Sequence, residues 1–519
     1  MVSAVLFITF FVLLVLNVPI SICLGLSSAA AILYSGTSLT IVATNIYSGI
    51  SKFLLLAIPF FVLSGNIMAK AGISTRLIRF VDTCVGHRKG GIANVCIIVA
   101  CFFGAISGSG PATVAALGAV LIPAMVERGG FSAPFSTALM ATASSIAIVI
   151  PPSIAFVVYA SITGVSIGDM FMAGIVPGIL MGLALIVVVM LEVRKNHVVP
   201  SNVQKASAKE RLDAFKDAFW GFLMPVIILG GIYGGIFTPT EAAAVSVVYG
   251  LFVGMVIYKE VKLKDLWDIL IDSAKTTGGI MLIVACASLF SFVCTKFGIA
   301  DAASNLLGSI AHNQFTFLLI VNVIFLIAGC FIDANSAMYI FIPIMLPVCK
   351  QLGYNVIAFG IMATVNLAIG QVTPPVGVNL FVAIGVKLKN GLQVTLQQIS
   401  RAVVPMVAAC IVVLLMITYI PGISTFLPAA LGSAAAVENG TTTGGDSGTT
   451  ATDNDDFNTI EDYSDLDWPE MTWNFTCSTT ETSTWAQAGR KFGELMEQAT
   501  GGKIKVEVYA ADQLTGGNQ

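Results

Sequence analysis

Apolar runs of about 20 residues recur along the chain from Met1 to Gly432. A run of this length is what a helix needs to cross the hydrocarbon core of a bilayer. The chain has 519 residues, of which 56% are apolar and only 11% charged, whereas a soluble domain usually carries roughly twice that charged fraction. The sequence therefore predicts an all-helical, multi-pass protein of the lipid bilayer. So many runs exclude a single cleaved signal peptide.

Two of the runs contain adjacent prolines where a continuous helix would be expected. They are Pro151–Pro152 and Pro374–Pro375, and each pair removes two backbone donors and interrupts the helix. Unpaired backbone groups are costly against lipid and are tolerated where they line a cavity. Two further runs, 94–129 and 315–350, contain the turn signals "SGSGP" and "GCFIDANS" in their middle. We interpret these two runs as re-entrant hairpins.

The placement of positive charge tests this count of crossings. Ten spans are predicted, near 2–16, 18–35, 53–70, 133–162, 169–193, 217–237, 240–258, 276–296, 356–386 and 402–422. With the N-terminus outside, nineteen cations face the cytoplasm: Lys70, Arg76, Arg79, Arg88, Lys89, Arg128, Arg194, Lys195, Lys205, Lys209, Arg211, Lys216, Lys259, Lys262, Lys264, Lys275, Lys387, Lys389 and Arg401. Three cations of this part face outside: Lys52, Lys296 and Lys350. Treating each hairpin as a crossing would spoil this bias.

The two halves of the membrane part present the same order of elements. Each has three spans, a hairpin, a span broken at Pro–Pro and a last span, over about 1–197 and 217–422. The segment "ATASSIAIVIPPS" resembles "ATVNLAIGQVTPPVG". Because five crossings per half is odd, the second copy is inverted in the membrane. Inverted repeats with broken helices are a transporter architecture, with binding sites near the bilayer midplane.

The composition changes after Gly432. Residues 433–470 contain ten acidic residues and no Lys or Arg, which predicts a flexible linker between a transport domain, 1–432, and a small C-terminal part. Residues 471–519 show an alternating apolar run, a helical pattern closed by two glycines, and a second alternating run. This order predicts a strand, a helix and a strand.

Polar residues near the hairpin turns and helix breaks are the candidate binding groups. Carboxylates inside a membrane are functional hypotheses by default, while amides and hydroxyls also bond across helices or satisfy turns. The residues predicted to bind substrate are Ser109, Thr113, Ser145, Asp333, Asn335, Asn366 and Asn379. The glutamate in "TPTE", Glu241, is predicted to form a capping box with Thr238.

The sequence gives little indication of a metal site, of disulfides or of a nucleotide-binding site. The ten Cys are scattered singly, which favours small buried side chains over a metal site or disulfides. No GxxxxGK[ST] motif occurs, so the energy for transport must come from an ion gradient or another subunit. We expect no organic cofactor and no nucleic-acid partner.

Four motifs, in this order, resemble the large membrane subunit of tripartite ATP-independent periplasmic (TRAP) transporters: "GAISGSGPATVAALG", "GIFTPTEAAAVSVVYG", "IDANSAMYIFIPIMLP" and "GQVTPPVGVNLF". The resemblance implies sodium-coupled, elevator-type uptake of a small carboxylate or sulfonate. It implies two sodium sites, each between a hairpin tip and a helix break, with backbone carbonyls among the ligands. On this sequence they fall at Ser107, Ala147, Ile150 and Ser153, and at Gly329, Gly370, Thr373 and Val376.

The resemblance also implies partners and a location. The C-terminal segment resembles the start of the family's extracytoplasmic substrate-binding protein, so we expect a fused but incomplete binding domain. A small membrane subunit of about four spans is expected as a separate polypeptide. The location implied is the bacterial inner membrane, with both termini periplasmic.

Two alternatives differ in what the C-terminal part does. One is an ion-coupled anion symporter that works without any binding protein and carries an unrelated tail. The other is a membrane-anchored enzyme, which is disfavoured because residues 471–519 contain no His and only one Cys.

Ser433→Cys tests the predicted topology. We expect this thiol to react with a membrane-impermeant maleimide in intact cells, because ten crossings from an outside N-terminus return the chain to the outside. Labelling of residue 433 only after the inner membrane is opened would refute the count of crossings.

Overall fold

A computed structural model describes residues 1–16, 18–196, 205–299, 302, 313–386, 394–431, 471–477, 484–500 and 502–510. The predicted linker, 433–470, lies outside the described residues. Contacts between Cα atoms divide the chain into two compact units, Met1–Gly440 and Thr441–Gln519. Each unit is described by itself.

The described residues of the first half of the larger unit form ten α-helices. They are α1 (Val2–Val15), α2 (Ile20–Tyr34), α3 (Thr40–Ile50), α4 (Ala57–Lys70, after a 3₁₀ turn Phe53–Leu56), α5 (Ile73–Val85), α6 (Gly91–Ser107), α7 (Gly110–Glu127), α8 (Ala133–Ser145, continued by a 3₁₀ turn Ile146–Ile148), α9 (Ile154–Thr163) and α10 (Ile167–Lys195).

The second half repeats much of this order among its described residues. Its helices are α11 (Ala208–Tyr233), α12 (Pro239–Phe252, continued by a π turn Val253–Ile257), α13 (Leu263–Lys296), α14 (Gln314–Phe331), α15 (Ala334–Gln351), α16 (Val356–Gly370), α17 (Val378–Ile384), α18 (Leu396–Tyr419) and α19 (Gly422–Ala430).

Short polar side chains start many of these helices. A side-chain oxygen accepts a backbone N–H of the first turn at Ser132, Ser166, Ser207, Thr238, Asn313, Asp333, Asn355 and Thr395. Such caps satisfy donors that have no partner within the helix. The predicted capping box of Thr238 and Glu241 is confirmed, because each side chain accepts the other residue's backbone N–H.

Eight of the described helical segments are long and apolar enough to cross a membrane: Phe53–Lys70, Gly110–Glu127, Ile167–Lys195, Ala208–Tyr233, Pro239–Ile257, Leu263–Lys296, Gln314–Phe331 and Leu396–Tyr419. The prediction of a helical, multi-pass membrane part is thereby confirmed at this coarse level. Two of these segments are arms of the predicted hairpins, whereas α1 and α2 are shorter than a full crossing. Length and composition alone therefore do not yield the predicted ten crossings.

Two elements differ from the sequence-based expectation. The sequence predicted a separate span near 276–296, but α13 is one helix of 34 residues that begins at Leu263. No proline lies within it, so the helix continues without interruption where its composition changes from charged to apolar. The sequence also did not predict α3, which lies before the third predicted span.

Glycines allow the helix breaks to contact the predicted hairpins closely. A methyl group added at Gly104 of α6 would lie 2.7 Å from the Cα of Ala147, just before the first Pro–Pro pair. A methyl group added at Gly370, at the end of α16, would lie 2.5 Å from the Cα of Gly329 in α14. Backbone therefore lies against backbone at both contacts.

The smaller unit has a strand, a helix and a strand: β1 (Met471–Cys477), α20 (Thr484–Ala499) and β2 (Ile504–Ala510). The strands pair in parallel, with Met471 opposite Ile504 and Cys477 opposite Ala510. This is the predicted order of elements, and a helix connecting two parallel strands is a β-α-β unit.

Gly370→Ala tests the backbone contact. We expect it to destabilise the purified protein by about 1–3 kcal/mol, because the added methyl group overlaps Gly329. Gly278→Ala in α13 is the matched control, since nothing lies within 4 Å of its added methyl group. That control should be neutral or stabilising by up to about 1 kcal/mol. Thermal unfolding in detergent measures both, and equal stability of the two variants would contradict the contact.

Candidate binding cavity

One cavity brings together the turns of both predicted hairpins and both helix breaks. It has a volume of ≈ 300 Å³. Its polar lining includes Ser107 and Ser109 from the first turn, Asp333 and Asn335 from the second, and Gln371 from the second break. The first break contributes residues on both sides of its prolines, Ile148 and Ile154. Segments far apart in the sequence therefore surround one space.

Hydroxyl groups fix the backbone of the first turn. The Ser107 and Thr113 hydroxyls lie 2.9 Å apart, and both donate to the carbonyl of Ser109, at 3.2 and 2.8 Å. Between them Gly108 has φ +60°, a left-handed conformation that favours glycine. These bonds give Ser107 and Thr113 a role in the turn itself.

The first break packs directly against this turn. A methyl group added at Gly108 would lie 2.9 Å from the carbonyl oxygen of Pro152. The Ser153 hydroxyl donates to the carbonyl of Ile148 across the two prolines. The side chain of Ile150 faces the other way, toward Gly178 of α10. Three of the four predicted residues of the first sodium site, Ser107, Ala147 and Ser153, thus lie where α6 and its turn meet the break.

The second break contacts the second predicted hairpin in a similar way. The backbone N–H of Gly377 donates to the carbonyl of Cys330 at the end of α14, at 3.2 Å. The Thr373 hydroxyl donates to the carbonyl of Ile369, at 2.8 Å. Gly329 and Gly370 touch just beside these bonds. Three of the four predicted residues of the second sodium site, Gly329, Gly370 and Thr373, therefore lie at one junction between α14 and the break after α16.

Asp333 has a clear structural role in the second turn. It is the N-cap of α15, where its carboxylate accepts the backbone N–H groups of Asn335 and Ser336, at 3.0 and 3.1 Å, and the Ser336 hydroxyl. It also lines the cavity. The same side chain thus orders the turn and places a negative charge beside the cavity.

The predicted substrate residues divide into two groups. Ser109, Asp333 and Asn335 belong to the described lining of the cavity, whereas four others do not: Thr113, Ser145, Asn366 and Asn379. Asn366 is buried and donates to the carbonyl and side-chain oxygens of Asn322, at 3.0 and 2.8 Å. Its part in substrate binding stays a prediction.

Three polar lining residues were not predicted as site residues. They are Asn66 of α4, Thr276 of α13 and Gln371 at the second break. Asn66 also donates to the Ser273 hydroxyl of α13, at 2.8 Å, and so joins two cavity walls. Gln371 had a signal in the sequence, since it is the polar residue next to Gly370 in "GQVTPP". Asn66 and Thr276 lie in α4 and α13. No local sequence pattern indicates that these two helices approach the hairpin turns.

The described lining of the cavity contains no Lys, Arg or His. Two helix N-termini without a side-chain cap lie there instead, α7 after Ser109 and α9 after Ser153, whereas the N–H groups that start α15 are bonded to Asp333. Neither Ser109 nor Ser153 caps its own helix through the side chain. Backbone N–H groups at helix N-termini carry partial positive charge and bind anions. An anion bound here would thus be held by N–H and hydroxyl donors.

Comparison with known proteins decides the family. A family profile described as "Tripartite ATP-independent periplasmic transporter, DctM component" matches residues 7–423. The chain belongs to this family. The predicted resemblance to the large permease of TRAP transporters is therefore confirmed for the membrane part. Since relatives such as the C4-dicarboxylate large permeases DctM are TRAP transporter permeases, the prediction of a transporter that is not an enzyme is also confirmed.

The relatives of this TRAP permease carry names with different substrates. This chain is 42% identical over 423 residues to the isethionate TRAP transporter permease protein DctMQ of Oleidesulfovibrio alaskensis, and the alignment covers 81% of this chain and 66% of the relative. It is 42% identical over 412 residues to the C4-dicarboxylate large permease DctM of Pseudomonas aeruginosa, covering 79% and 94%. It is 34% identical over 400 residues to the sialic acid large permease SiaM of Vibrio cholerae, covering 77% and 92%.

A solved structure supports the fold of the permease. The crystal structure of the YdaH transporter from Alcanivorax borkumensis aligns with a TM-score of 0.54 at 15% identity. The alignment covers 74% of this chain and 88% of YdaH. At this identity the likeness concerns the fold alone.

Two substitutions of Asp333 distinguish its role as the N-cap of α15 from the role of its negative charge. Asp333→Ala should destabilise the permease by about 0.5–2 kcal/mol, because the first turn of α15 loses its acceptor. Asp333→Asn should keep most of the stability, since its amide oxygen can still accept these N–H groups. Thermal unfolding in detergent measures both variants, and unchanged stability of Asp333→Ala would show that the cap does not hold the turn.

Proposed function

We propose that this permease is the translocating subunit of a sodium-coupled secondary transporter. It imports a small organic acid anion, a carboxylate or a sulfonate. The anion crosses in the cavity between the two hairpin turns and the two helix breaks, and Na⁺ accompanies it. The relatives named for C4-dicarboxylate and isethionate support this substrate class.

The composition of the cavity carries the proposal. Its described lining has one carboxylate, Asp333, and no cationic side chain. Burying an anion beside a carboxylate is costly unless positive charge accompanies it. Helix N-termini supply part of that charge, and bound Na⁺ supplies the rest. Coupling to a cation is then a requirement for binding the anion.

Two junctions are the proposed sodium sites. The first is assigned to Ser107, Ala147, Ile150 and Ser153, and the second to Gly329, Gly370, Thr373 and Val376. Hard cations such as Na⁺ prefer oxygen ligands, and helix breaks provide carbonyl oxygens without a helical partner. The close contacts of Gly104 with Ala147 and of Gly329 with Gly370 support equivalent roles for the junctions.

The proposed architecture is a pair of inverted repeats with re-entrant hairpins. In the first half, Gly104 of α6 lies against the backbone of Ala147, four residues before Pro151. In the second half, Gly329 of α14 lies against the backbone of Gly370, four residues before Pro374. The fold shared with the YdaH transporter is compatible with this arrangement. The hairpins then enter from opposite faces of the bilayer and meet at the cavity.

Contacts between loops support the proposed orientation. Three ion pairs join residues that the charge rule places in the cytoplasm: Arg76–Glu260 at 2.6 Å, Arg79–Asp217 at 2.9 Å and Arg128–Asp82 at 2.8 Å. Two lysines predicted outside donate to residues predicted outside: Lys52 to the carbonyl of Ser161 at 2.6 Å, and Lys296 to the hydroxyl of Thr37 at 3.4 Å. In each of these contacts, both residues are predicted on the same side of the membrane.

The lining of the cavity also suggests a transport state. Asn66 and Ala69 are near the predicted cytoplasmic end of α4, and Thr276 and Ile280, in the middle of α13, are near the cytoplasmic end of the predicted span 276–296. We therefore assign the conformation to an inward-facing state of an elevator-type cycle. In the outward-facing state the hairpins and broken helices would move along α4 and α13 toward the periplasm.

The proposed complex has three parts in the bacterial inner membrane and periplasm. A small membrane subunit, as a separate polypeptide, and a substrate-binding domain complete the transporter, in keeping with the tripartite family description. We assign the β-α-β unit at the C-terminus to the start of that binding domain, joined by the acidic linker, 433–470, with both termini of the membrane part periplasmic. Tethering would give the binding domain a millimolar effective concentration.

Uptake into proteoliposomes by the complete complex tests the sodium sites. Ser107→Ala and Thr373→Val should each raise the sodium concentration for half-maximal uptake roughly tenfold, because each removes a hydroxyl near the proposed ion. Thr364→Val is the matched control, since the Thr364 hydroxyl also bonds a carbonyl one turn earlier but lies in the middle of α16. Unchanged sodium dependence in both site variants would remove the assignment, and uptake without any binding protein would favour the plain symporter.

A further inference from the structure

Asn379 touches both halves of the permease with one side chain. It lies in the first turn of α17 and is fully buried. It does not belong to the described lining of the cavity. Burying a primary amide is costly unless its hydrogen bonds are made. Its partners therefore indicate what the side chain does.

In the first half, the Asn379 amide reaches a broken helix and a hairpin turn. Its Nδ2 donates to the hydroxyl of Ser144, at 3.3 Å. Ser144 is fully buried near the end of α8, three residues before Ala147. A methyl group added at Gly110, the first residue of α7, would lie 2.7 Å from the same Nδ2. Both neighbours belong to elements of the proposed first sodium site.

In the second half, the backbone around Asn379 belongs to the second break. Its backbone N–H donates to the carbonyl of Gln371, at 3.1 Å, and Gln371 follows Gly370 directly. Two residues before Asn379, Gly377 bonds Cys330 of the second hairpin. The side-chain oxygens of Asn379 and Gln371 are buried without a hydrogen-bond partner, and both would lie within 3.1 Å of a methyl group at Gly110.

We propose that Asn379 is a positioning residue that couples the two sodium sites. The inference rests on the two sites of the proposed function and goes beyond them. Ordering of the first junction by an ion fixes Ser144 and Gly110, and through the Asn379 amide it fixes the backbone of the second break. The second junction then needs less ordering to bind its ion, which is positive cooperativity.

Equilibrium binding of radiolabelled sodium to the purified full chain tests this coupling. The wild-type protein should bind two ions with a Hill coefficient well above 1, approaching about 2. Asn379→Ala should still bind two ions, but with a coefficient of about 1 or below, as expected of uncoupled sites. Ser144→Ala should change the coefficient in the same direction with a smaller disturbance of packing.

Asn322→Ala is the matched control. Asn322 is also a buried asparagine of the second half, and its amide bonds the Thr418 hydroxyl at 3.3 Å, within that half. This variant should keep the wild-type coefficient even where its thermal stability falls. A general loss of packing would lower cooperativity in the control as well, and that result would overturn the inference.

The outcomes separate this inference from the proposed function. A wild-type chain without sodium binding would overturn both. Cooperative wild-type binding that persists in Asn379→Ala and Ser144→Ala would overturn the coupling alone and leave the sodium sites in place. Loss of cooperativity in these two variants, with both ions still bound, would support it.

Discussion

Interrupting two helices inside a membrane protein creates backbone groups that lipid cannot satisfy. The permease meets this constraint with close contacts between the breaks and neighbouring helices. The Gly377 N–H bonds the Cys330 carbonyl of α14, and within the first break the Ser153 hydroxyl bonds the Ile148 carbonyl. Glycines at the nearest points remove the side chains that would hold these elements apart. The cavity exists because those contacts hold the broken helices around it.

The electrostatics of the cavity follow from the same arrangement. Each hairpin turn or break that ends one helix begins another, so N-termini such as those after Ser109 and Ser153 come together. Their positive ends favour an anion, while carbonyls before the breaks favour a cation. In the proposed function, the absence of a cationic side chain from the described lining is the reason to expect joint binding of the anion and Na⁺.

Local chemistry explains what the sequence revealed. Paired prolines, a glycine-rich turn and a TPTE cap each act within a few residues, so the breaks, the first turn and the start of α12 were predictable. The lining by Asn66 and Thr276 depends on how α4 and α13 approach the hairpin turn, which is set by packing over long sequence separations. The continuity of α13 was missed because a change in polarity resembles a boundary, although nothing in the backbone stops the helix there.

The length of α13 has a mechanical consequence. Its 34 residues extend about 50 Å at 1.5 Å per residue, well beyond the hydrocarbon thickness of about 30 Å. One end carries the exposed Trp267, the middle forms a wall of the cavity, and the other end places Lys296 beside Thr37. A continuous helix of this length would transmit a change of tilt at the membrane surface to the cavity. Bilayer thickness would thereby influence how fast the carrier turns over.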